Sequence, residues 1–148
     1  MSGIVRISEG SNLAIHALAY LAHKHPSAAL TVATIAEELG VSKDHLGKVM
    51  QRLTRQGFVY SKRGPRGGFT PARPPSEVTL LEIIEAVEGP LNSRRCMLSN
   101  PICQKKRCLI SDLTMRIYDD VHRELSQSRL EDLLPMFDSE LEHGDHEH

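Results

Sequence analysis

The stretch VSKDHLGKVMQRLTRQGFVYSKRGPRGGFTPARP, residues 41–74, decides the fold because its pattern changes from helical to strand-like at Gly57. Ser42 suits an N-cap, and the glycine suits a helix end. Apolar residues between them follow the spacing i, i+3, i+4, i+7, at Leu46, Val49, Met50 and Leu53. The first half of the stretch therefore predicts an amphipathic helix with one buried side.

A second, shorter helix is predicted just before this one, in TVATIAEELG at 31–40. Thr31 can cap its start, and Gly40 suits the turn after it. Two capped helices joined by a tight glycine turn are typical of a helix-turn-helix. A simple helical bundle also fits these residues, because helical hairpins are common.

The residues that follow favour a β-hairpin, and the hairpin favours DNA binding over the bundle. Strand-forming residues stand at 58–60 and 69–70, with RGPRGG between them. Lys62, Arg63 and Arg66 alternate with glycine and proline at the tip, which suits the narrow, electronegative minor groove of DNA. An ordinary turn explains the glycines but not three basic residues within five positions.

The side of the 43–55 helix opposite its apolar stripe carries polar and basic residues that can reach base edges and phosphates from the major groove. Gly47 permits close approach, and Ser42 can donate to a phosphate beside free backbone N–H groups. A solvated surface explains each residue singly, but the set on one face favours binding. The predicted DNA-binding residues are Ser42, Lys43, Asp44, His45, Lys48, Gln51, Arg52, Arg55, Lys62, Arg63 and Arg66.

Helices are predicted on both sides of this unit. An apolar stretch at 11–25 predicts a buried helix capped by Ser11 or Asn12. Thr79 and Glu82 form a T-x-x-E capping box for the next helix, which ends at a glycine.

A long helix is predicted after residue 108, and its apolar stripe is too long for one small domain to cover. The stripe is the predicted dimer interface and consists of Leu113, Ile117, Val121 and Leu125. Ser128 and Glu131 predict a further capping box for a short terminal helix.

The predicted fold class is mostly α with a small β-hairpin wing, a winged helix-turn-helix plus a long dimerisation helix. We expect a DNA-binding domain at 1–89, a cysteine-bearing sensor loop at 90–108, dimerisation and C-terminal helices at 109–136, and a disordered polar tail at 137–148.

The net charge of −1 conceals an asymmetric distribution. Residues 1–75 contain ten Lys/Arg and four Asp/Glu, whereas residues 76–148 contain eight and fifteen. The basic first half indicates a polyanionic partner. No stretch approaches the roughly 20 apolar residues of a membrane span, and the N-terminus lacks the apolar segment of a signal peptide, so we expect a cytoplasmic protein without a membrane partner.

Three cysteines, Cys96, Cys103 and Cys108, are clustered as C-x6-C-x4-C in a segment without periodicity. An odd number of cysteines in a reducing compartment argues against a disulfide framework. Thiolates are soft ligands suited to iron–sulfur clusters, zinc or copper(I). Basic neighbours at 94–95 and 105–107 favour thiolates and offset an anionic cluster.

The stretch GFVYSKRGPRGGFTPARPPSEVTLLEIIEAVEG, preceded by VSKDHLGKVMQRL, resembles the Rrf2 family of winged-helix regulators, which includes IscR and NsrR. The resemblance runs from about Val5 to Leu134 and is most specific in the R-G-x-x-G-G wing, ARPP-x-x-V-T-L and I-I-E-A-V-E-G. It implies that Arg63 enters the minor groove. It also implies a homodimer paired through the helix at roughly 110–127, which would read a near-palindromic operator in double-stranded DNA.

The resemblance further implies that the three cysteines hold an iron–sulfur cluster, 2Fe–2S or 4Fe–4S. Their spacing of six and then four residues departs from the family's usual five and five. Ser111 stands where one branch has a histidine ligand, and Asn12 where another has an aspartate. Glu9, Asp112 or an exogenous molecule can supply the fourth ligand. Zinc, a thiol-oxidation switch and inert thiols are the alternatives.

We therefore expect a homodimeric DNA-binding transcription regulator that senses redox, iron or nitric oxide status. The alternative is a winged-helix regulator that responds through thiol oxidation, zinc or a small-molecule effector without a cluster. An enzyme with Cys103 or Cys108 as nucleophile is not favoured, because no histidine and carboxylate pattern or cofactor loop accompanies them. An adaptor that binds only proteins is disfavoured by the basic first half.

Overall fold

The computed structural model describes residues 7–24, 29–91 and 108–138. These residues form five α-helices, a two-stranded sheet and two 3₁₀ segments. The predicted fold class, mostly α with a small β-hairpin wing, is confirmed. No helix in these ranges has the length and apolar character needed to cross a bilayer. The elements are α1 (Glu9–Lys24), α2 (Val32–Leu39), α3 (Lys43–Arg55), β1 (Val59–Lys62), β2 (Gly68–Pro71), a 3₁₀ turn (Pro75–Glu77), α4 (Leu80–Glu88), α5 (Leu109–Gln127) and a C-terminal 3₁₀ helix (Leu130–Phe137).

Helix α1 forms the centre of the core because it is apolar on nearly all sides. It packs against α2, α3, α4, β2 and the C-terminal 3₁₀ helix. The helix begins earlier than predicted, because the hydroxyl of Ser8 accepts the N–H of Ser11 at 3.2 Å. Ser11 is therefore an interior position, fully buried, and the prediction that Ser11 or Asn12 caps α1 is wrong.

Helices α2 and α3 confirm the predicted helix-turn-helix. Thr31 Oγ1 accepts the N–H of Thr34 at 3.2 Å, and Gly40 ends α2 in the left-handed region with φ 64°. Ser42 caps α3 by accepting the N–H of His45 at 3.4 Å. The predicted apolar stripe of α3 is buried, at Leu46, Val49, Met50 and Leu53. The opposite side of α3 is left to solvent.

The predicted hairpin is present as the wing, in which β1 and β2 pair antiparallel. Strand β2 also pairs with Leu30, which precedes α2. The N–H of Leu30 donates to the carbonyl of Phe69 at 3.0 Å, and the N–H of Phe69 donates to the carbonyl of Leu30 at 2.7 Å. Gly68 must be glycine because its φ is 139° and a Cβ would lie 2.6 Å from the Leu30 backbone. The base of the wing is thereby fixed next to the start of α2.

The predicted capping box opens α4. Thr79 Oγ1 accepts the N–H of Glu82 at 3.1 Å, and the Glu82 carboxylate accepts the N–H of Thr79 at 2.8 Å. Arg73, whose guanidinium lies over the Phe58 ring, forms a 3.2 Å ion pair with the same carboxylate. Burial acts to raise the pKa of Glu82, but the Thr79 N–H and Arg73 outweigh it and hold the pKa below its usual value.

The C-terminal 3₁₀ helix packs against α1 and buries Leu130. The predicted capping box of Ser128 with Glu131 is wrong. The hydroxyl of Ser128 donates to a carbonyl in the last turn of α5, at 2.8 Å. It is the carboxylate of Asp132 that accepts a cap hydrogen bond, from the N–H of Arg129 at 2.8 Å.

Candidate nucleic-acid interface

The predicted DNA-binding residues lie on the surface of α3 and the wing. Ten of the eleven side chains are exposed, and His45 is half-buried. Between residues 42 and 68 the chain has seven Lys/Arg residues, all exposed, and a single acidic residue, Asp44. This surface is therefore strongly positive, although the whole chain carries a net charge of −1.

A groove of about 360 Å³ runs along α3 and borders the end of α4. Polar and basic side chains of α3 line most of it, with Gly10, Val49 and Val87 at its apolar parts. The groove brings together five of the predicted residues, namely His45, Lys48, Gln51, Arg52 and Arg55.

The start of α3 has free space and a free donor. The oxygen of Ser42 accepts the cap hydrogen bond from His45, so the hydroxyl hydrogen is left to donate elsewhere. Gly47 has no described atom within 4 Å of the position that a Cβ would occupy. Packing among the described residues does not require glycine at this position, which is consistent with the predicted close approach of a ligand.

Arg52 has a hydrogen-bond partner within the protein. Its Nη1 donates to the carbonyl oxygen of Val87 in the last turn of α4. A cation at a helix C-terminus interacts favourably with the helix dipole. A guanidinium has five N–H donors, so this contact leaves others available. Arg52 therefore joins α3 to α4 and also lines the groove.

The wing tip is a tight turn with exposed basic residues. The N–H of Gly67 donates to the carbonyl of Gly64 at 2.9 Å. A Cβ on Gly67 would lie 2.3 Å from the Lys62 carbonyl oxygen, so this position also requires glycine. Tyr60 on β1 is 66% exposed, and sequence analysis assigned it no role. The alternation of side chains along a strand could have predicted this exposure, because the neighbouring Val59 is buried and adjacent residues point to opposite faces.

Of the three predicted cluster ligands, Cys108 is described and half-buried, whereas Cys96 and Cys103 lie outside the described residues. The Cys108 sulfur caps α5 by accepting the N–H of Ser111 at 3.4 Å. The positive end of a helix dipole suits an anionic ligand atom. Within 7–24, 29–91 and 108–138, no three His, Cys, Asp or Glu side chains are grouped so as to hold a metal ion.

The two residues predicted as candidate fourth ligands lie on different helices. Asp112 is one turn after Cys108 on α5 and lines a groove of about 540 Å³ with Leu109, Met115 and Arg116. Glu9 begins α1 and lines a separate groove of about 210 Å³.

The predicted dimer interface is only partly an exposed stripe. Leu113 is 48% and Ile117 is 37% exposed, whereas Val121 is half-buried and Leu125 packs against the core of its own chain. The exposed apolar surface extends toward the start of α5 instead, where Leu109 is 78% and Ile110 is 60% exposed.

Known proteins similar to this chain are transcriptional regulators, which agrees with its helix-turn-helix, wing and basic surface. Residues 7–136 match the Rrf2 family model, described as an iron-dependent transcriptional regulator. The chain is 29% identical over 130 residues to the HTH-type transcriptional regulator IscR of Photorhabdus laumondii, covering 88% of this chain and 79% of that one. It is 29% identical over 107 residues to the HTH-type transcriptional regulator NsrR of Bacillus subtilis, covering 72% and 70%. Its fold is similar to that of CymR, the global cysteine regulator of B. subtilis, with a TM-score of 0.76, 27% identity, and coverage of 89% and 98%. The chain belongs to the Rrf2 family of DNA-binding transcriptional regulators.

Proposed function

We propose that α3 enters the major groove of double-stranded DNA while the wing tip enters the adjacent minor groove. The observation that carries this proposal is the exposure of seven basic side chains, against one carboxylate, between residues 42 and 68. Phosphate contacts from such a surface supply affinity, and side chains that reach base edges supply specificity.

The positions of the side chains suggest separate roles. Ser42 and Lys43, at the N-terminus of α3, are suited to phosphates. Lys48 and Gln51 line the α3 groove and can reach base edges. Arg63, at the tight tip of the wing, is suited to the minor groove.

The working form in this proposal is a homodimer that pairs through α5 and reads a near-palindromic operator in the cytoplasm. The exposed apolar side chains at the start of α5 support it, because a contiguous apolar patch favours a partner. They are Leu109, Ile110, Leu113 and Ile117. Ile117→Asp should therefore shift the mass in solution from dimer to monomer. Met136→Asp, at an apolar residue that is equally exposed on the C-terminal 3₁₀ helix, should leave the mass unchanged.

The proposed signal is sensed through an iron–sulfur cluster on Cys96, Cys103 and Cys108. The half-buried Cys108 sulfur at the positive end of α5 suits a thiolate ligand, and the family is described as iron-dependent. A bound cluster supplies a group that oxidation, iron loss or nitric oxide can change. The alternative is a regulator that has no cluster and responds to thiol oxidation, zinc or a small-molecule effector. The similarity to a cysteine regulator supports this alternative.

Operator affinity, measured over a range of salt concentrations, tests the DNA-binding proposal. Lys48→Ala and Arg63→Ala should each weaken binding. Lys43→Ala, which removes a proposed phosphate contact, should also lower the salt slope by about 1. Arg123→Ala removes an exposed arginine of α5 and should change neither quantity. If affinity for specific and random duplexes is unchanged in both the Lys48 and the Arg63 variant, the proposed interface is wrong.

Anaerobic purification with visible absorbance and iron analysis tests the cluster. A coloured protein with bound iron and sulfide, lost on exposure to air, is the expected result. A colourless protein that takes up no iron after reconstitution contradicts the cluster and leaves the alternative.

A further inference from the structure

The last turn of α4 is hydrogen-bonded to α5 through Leu91. The hydroxyl of Tyr118, on α5, donates to the Leu91 carbonyl at 2.6 Å. On the other side of the same residue, the Leu91 N–H donates to the Glu85 carboxylate at 3.4 Å. Both polar backbone groups of Leu91 are therefore occupied, one by α5 and one by α4. These two hydrogen bonds connect the position of α5 to that of the last turn of α4.

The same turn of α4 also contacts the DNA-reading helix. The carbonyl of Val87 accepts the hydrogen bond from Arg52 on α3. The next residue, Glu88, accepts hydrogen bonds from the Ser8 N–H at 2.5 Å and the Ser11 hydroxyl at 2.6 Å. One helical turn thus joins α5 on one side to α3 and α1 on the other.

We propose that Arg52 is a positioning residue through which α5 sets the affinity of α3 for DNA. One N–H of the guanidinium is held by the Val87 carbonyl, and Arg52 also lines the groove, so its other donors are available there for a phosphate. A long side chain that is fixed before binding loses less entropy when it binds than one that is free. If α5 shifts and the end of α4 follows, the Val87 carbonyl moves, and Arg52 is no longer pre-oriented. This inference rests on the proposed DNA interface.

We call the hydrogen bonds that link Tyr118, Leu91 and Glu85, together with the bond from Arg52 to Val87, the junction. If it works as proposed, a change at Tyr118 on α5 should alter DNA affinity through Arg52. Tyr118→Phe removes the hydroxyl and keeps the ring, so it loosens the end of α4 without changing the amino-acid sequence of α3. We expect operator affinity to fall between about 2-fold and 30-fold, the range of energetic coupling between distant sites. Glu85→Ala loosens the same junction from the α4 side and should act in the same direction.

A double-mutant cycle distinguishes coupling through Arg52 from a general loss of structure. In an Arg52→Ala background, Tyr118→Phe should have no further effect on affinity. In a Lys48→Ala background it should keep its full effect, because Lys48 has no part in the junction. Ser126→Ala, which also removes a hydroxyl from α5, should be without effect in every background.

Two outcomes overturn the inference. One is that Tyr118→Phe and Glu85→Ala leave affinity unchanged in the wild-type background. The other is that their effects are as large in Arg52→Ala as in wild type. Thermal unfolding of each variant and its mass in solution show that the compared proteins are folded and equally dimeric. Failure of the DNA interface itself is distinguishable, because then Lys48→Ala and Arg63→Ala would also leave affinity unchanged.

Discussion

Ser11 on α1 and Glu88 at the end of α4 are 77 residues apart in sequence and are joined by a 2.6 Å hydrogen bond between Oγ and Oε1. Ser11 is fully buried. Ser11→Ala should lower the free energy of unfolding by about 1–3 kcal/mol, because it removes the hydrogen bond that a fully buried hydroxyl donates to a carboxylate. Urea unfolding measures the change.

Ser126→Ala is the matched control for this variant. Its hydroxyl donates to the Arg123 carbonyl at 2.9 Å but is exposed. The change there should stay within about 0.5 kcal/mol. Equal effects of the two substitutions would show that the Ser11 contact contributes no more than a surface hydroxyl.

Substitution of Gly47 by alanine should change the stability of the fold and its affinity for DNA in opposite directions. A Cβ at this position of α3 meets no described atom within 4 Å, so Gly47→Ala should raise the free energy of unfolding by about 0.5–1 kcal/mol through helix propensity. The added methyl group would stand where the proposed interface brings DNA close to α3. We expect operator affinity to fall about tenfold, equivalent to about 1.4 kcal/mol.

Gly40→Ala is the contrasting variant, because Gly40 adopts a φ of 64° at the end of α2. Alanine in that conformation should destabilise the fold by about 1–2 kcal/mol. A Gly47→Ala protein that is more stable and binds the operator as tightly as wild type would show that no duplex atom approaches this position.

The pH dependence of stability should reflect Glu82. Because its pKa is lowered in the folded state, its contribution is present above the usual carboxyl pKa of 4.5 and is lost as pH falls through the folded value. Glu82→Gln should lower the melting temperature near neutral pH, and the difference from wild type should shrink as pH falls below 4.5. Glu131→Gln, at an exposed residue of the C-terminal 3₁₀ helix, should show no such convergence.

How well the fold could be predicted depended on whether the relevant interactions were local. The caps of α2, α3 and α4 are bonds between residues three apart, at Thr31, Ser42 and Thr79, and all three were predicted from spacing. Ser11 was predicted as a cap for the same reason, but its partner Glu88 is distant in sequence, and spacing carries no signal for it.

In the candidate site, too, features that depend on local spacing were predicted, whereas features that depend on contacts distant in sequence were not. Exposure of the basic residues on α3 followed from the burial of the opposite stripe, so periodicity was sufficient. That Arg52 also binds the Val87 carbonyl depends on how α3 and α4 cross, which no spacing encodes. Likewise, α5 was predicted to be apolar on one side, but which part the chain's own core covers depends on how α5 packs against the rest of the fold, including α4. Leu125 is covered by that core, and Leu113 is not.

Cys108 has two roles that substitution should separate. Its sulfur caps α5 through the Ser111 N–H, and it is one of three proposed cluster ligands. Cys108→Ser places a preferred N-cap oxygen at this position, so the metal-free protein should be at least as stable as wild type. Cys108→Ala removes the cap and should cost about 0.5 kcal/mol, because sulfur is a weak acceptor.

Iron binding should not follow this order of stability. A serine hydroxyl is a poor replacement for a thiolate, so both variants should lose most of the iron that the wild type retains after anaerobic reconstitution. Urea unfolding of the metal-free proteins and iron analysis of the reconstituted ones measure the two roles separately. If Cys108→Ser binds as much iron as wild type, the Cys108 sulfur is not a ligand, and its function is limited to starting α5.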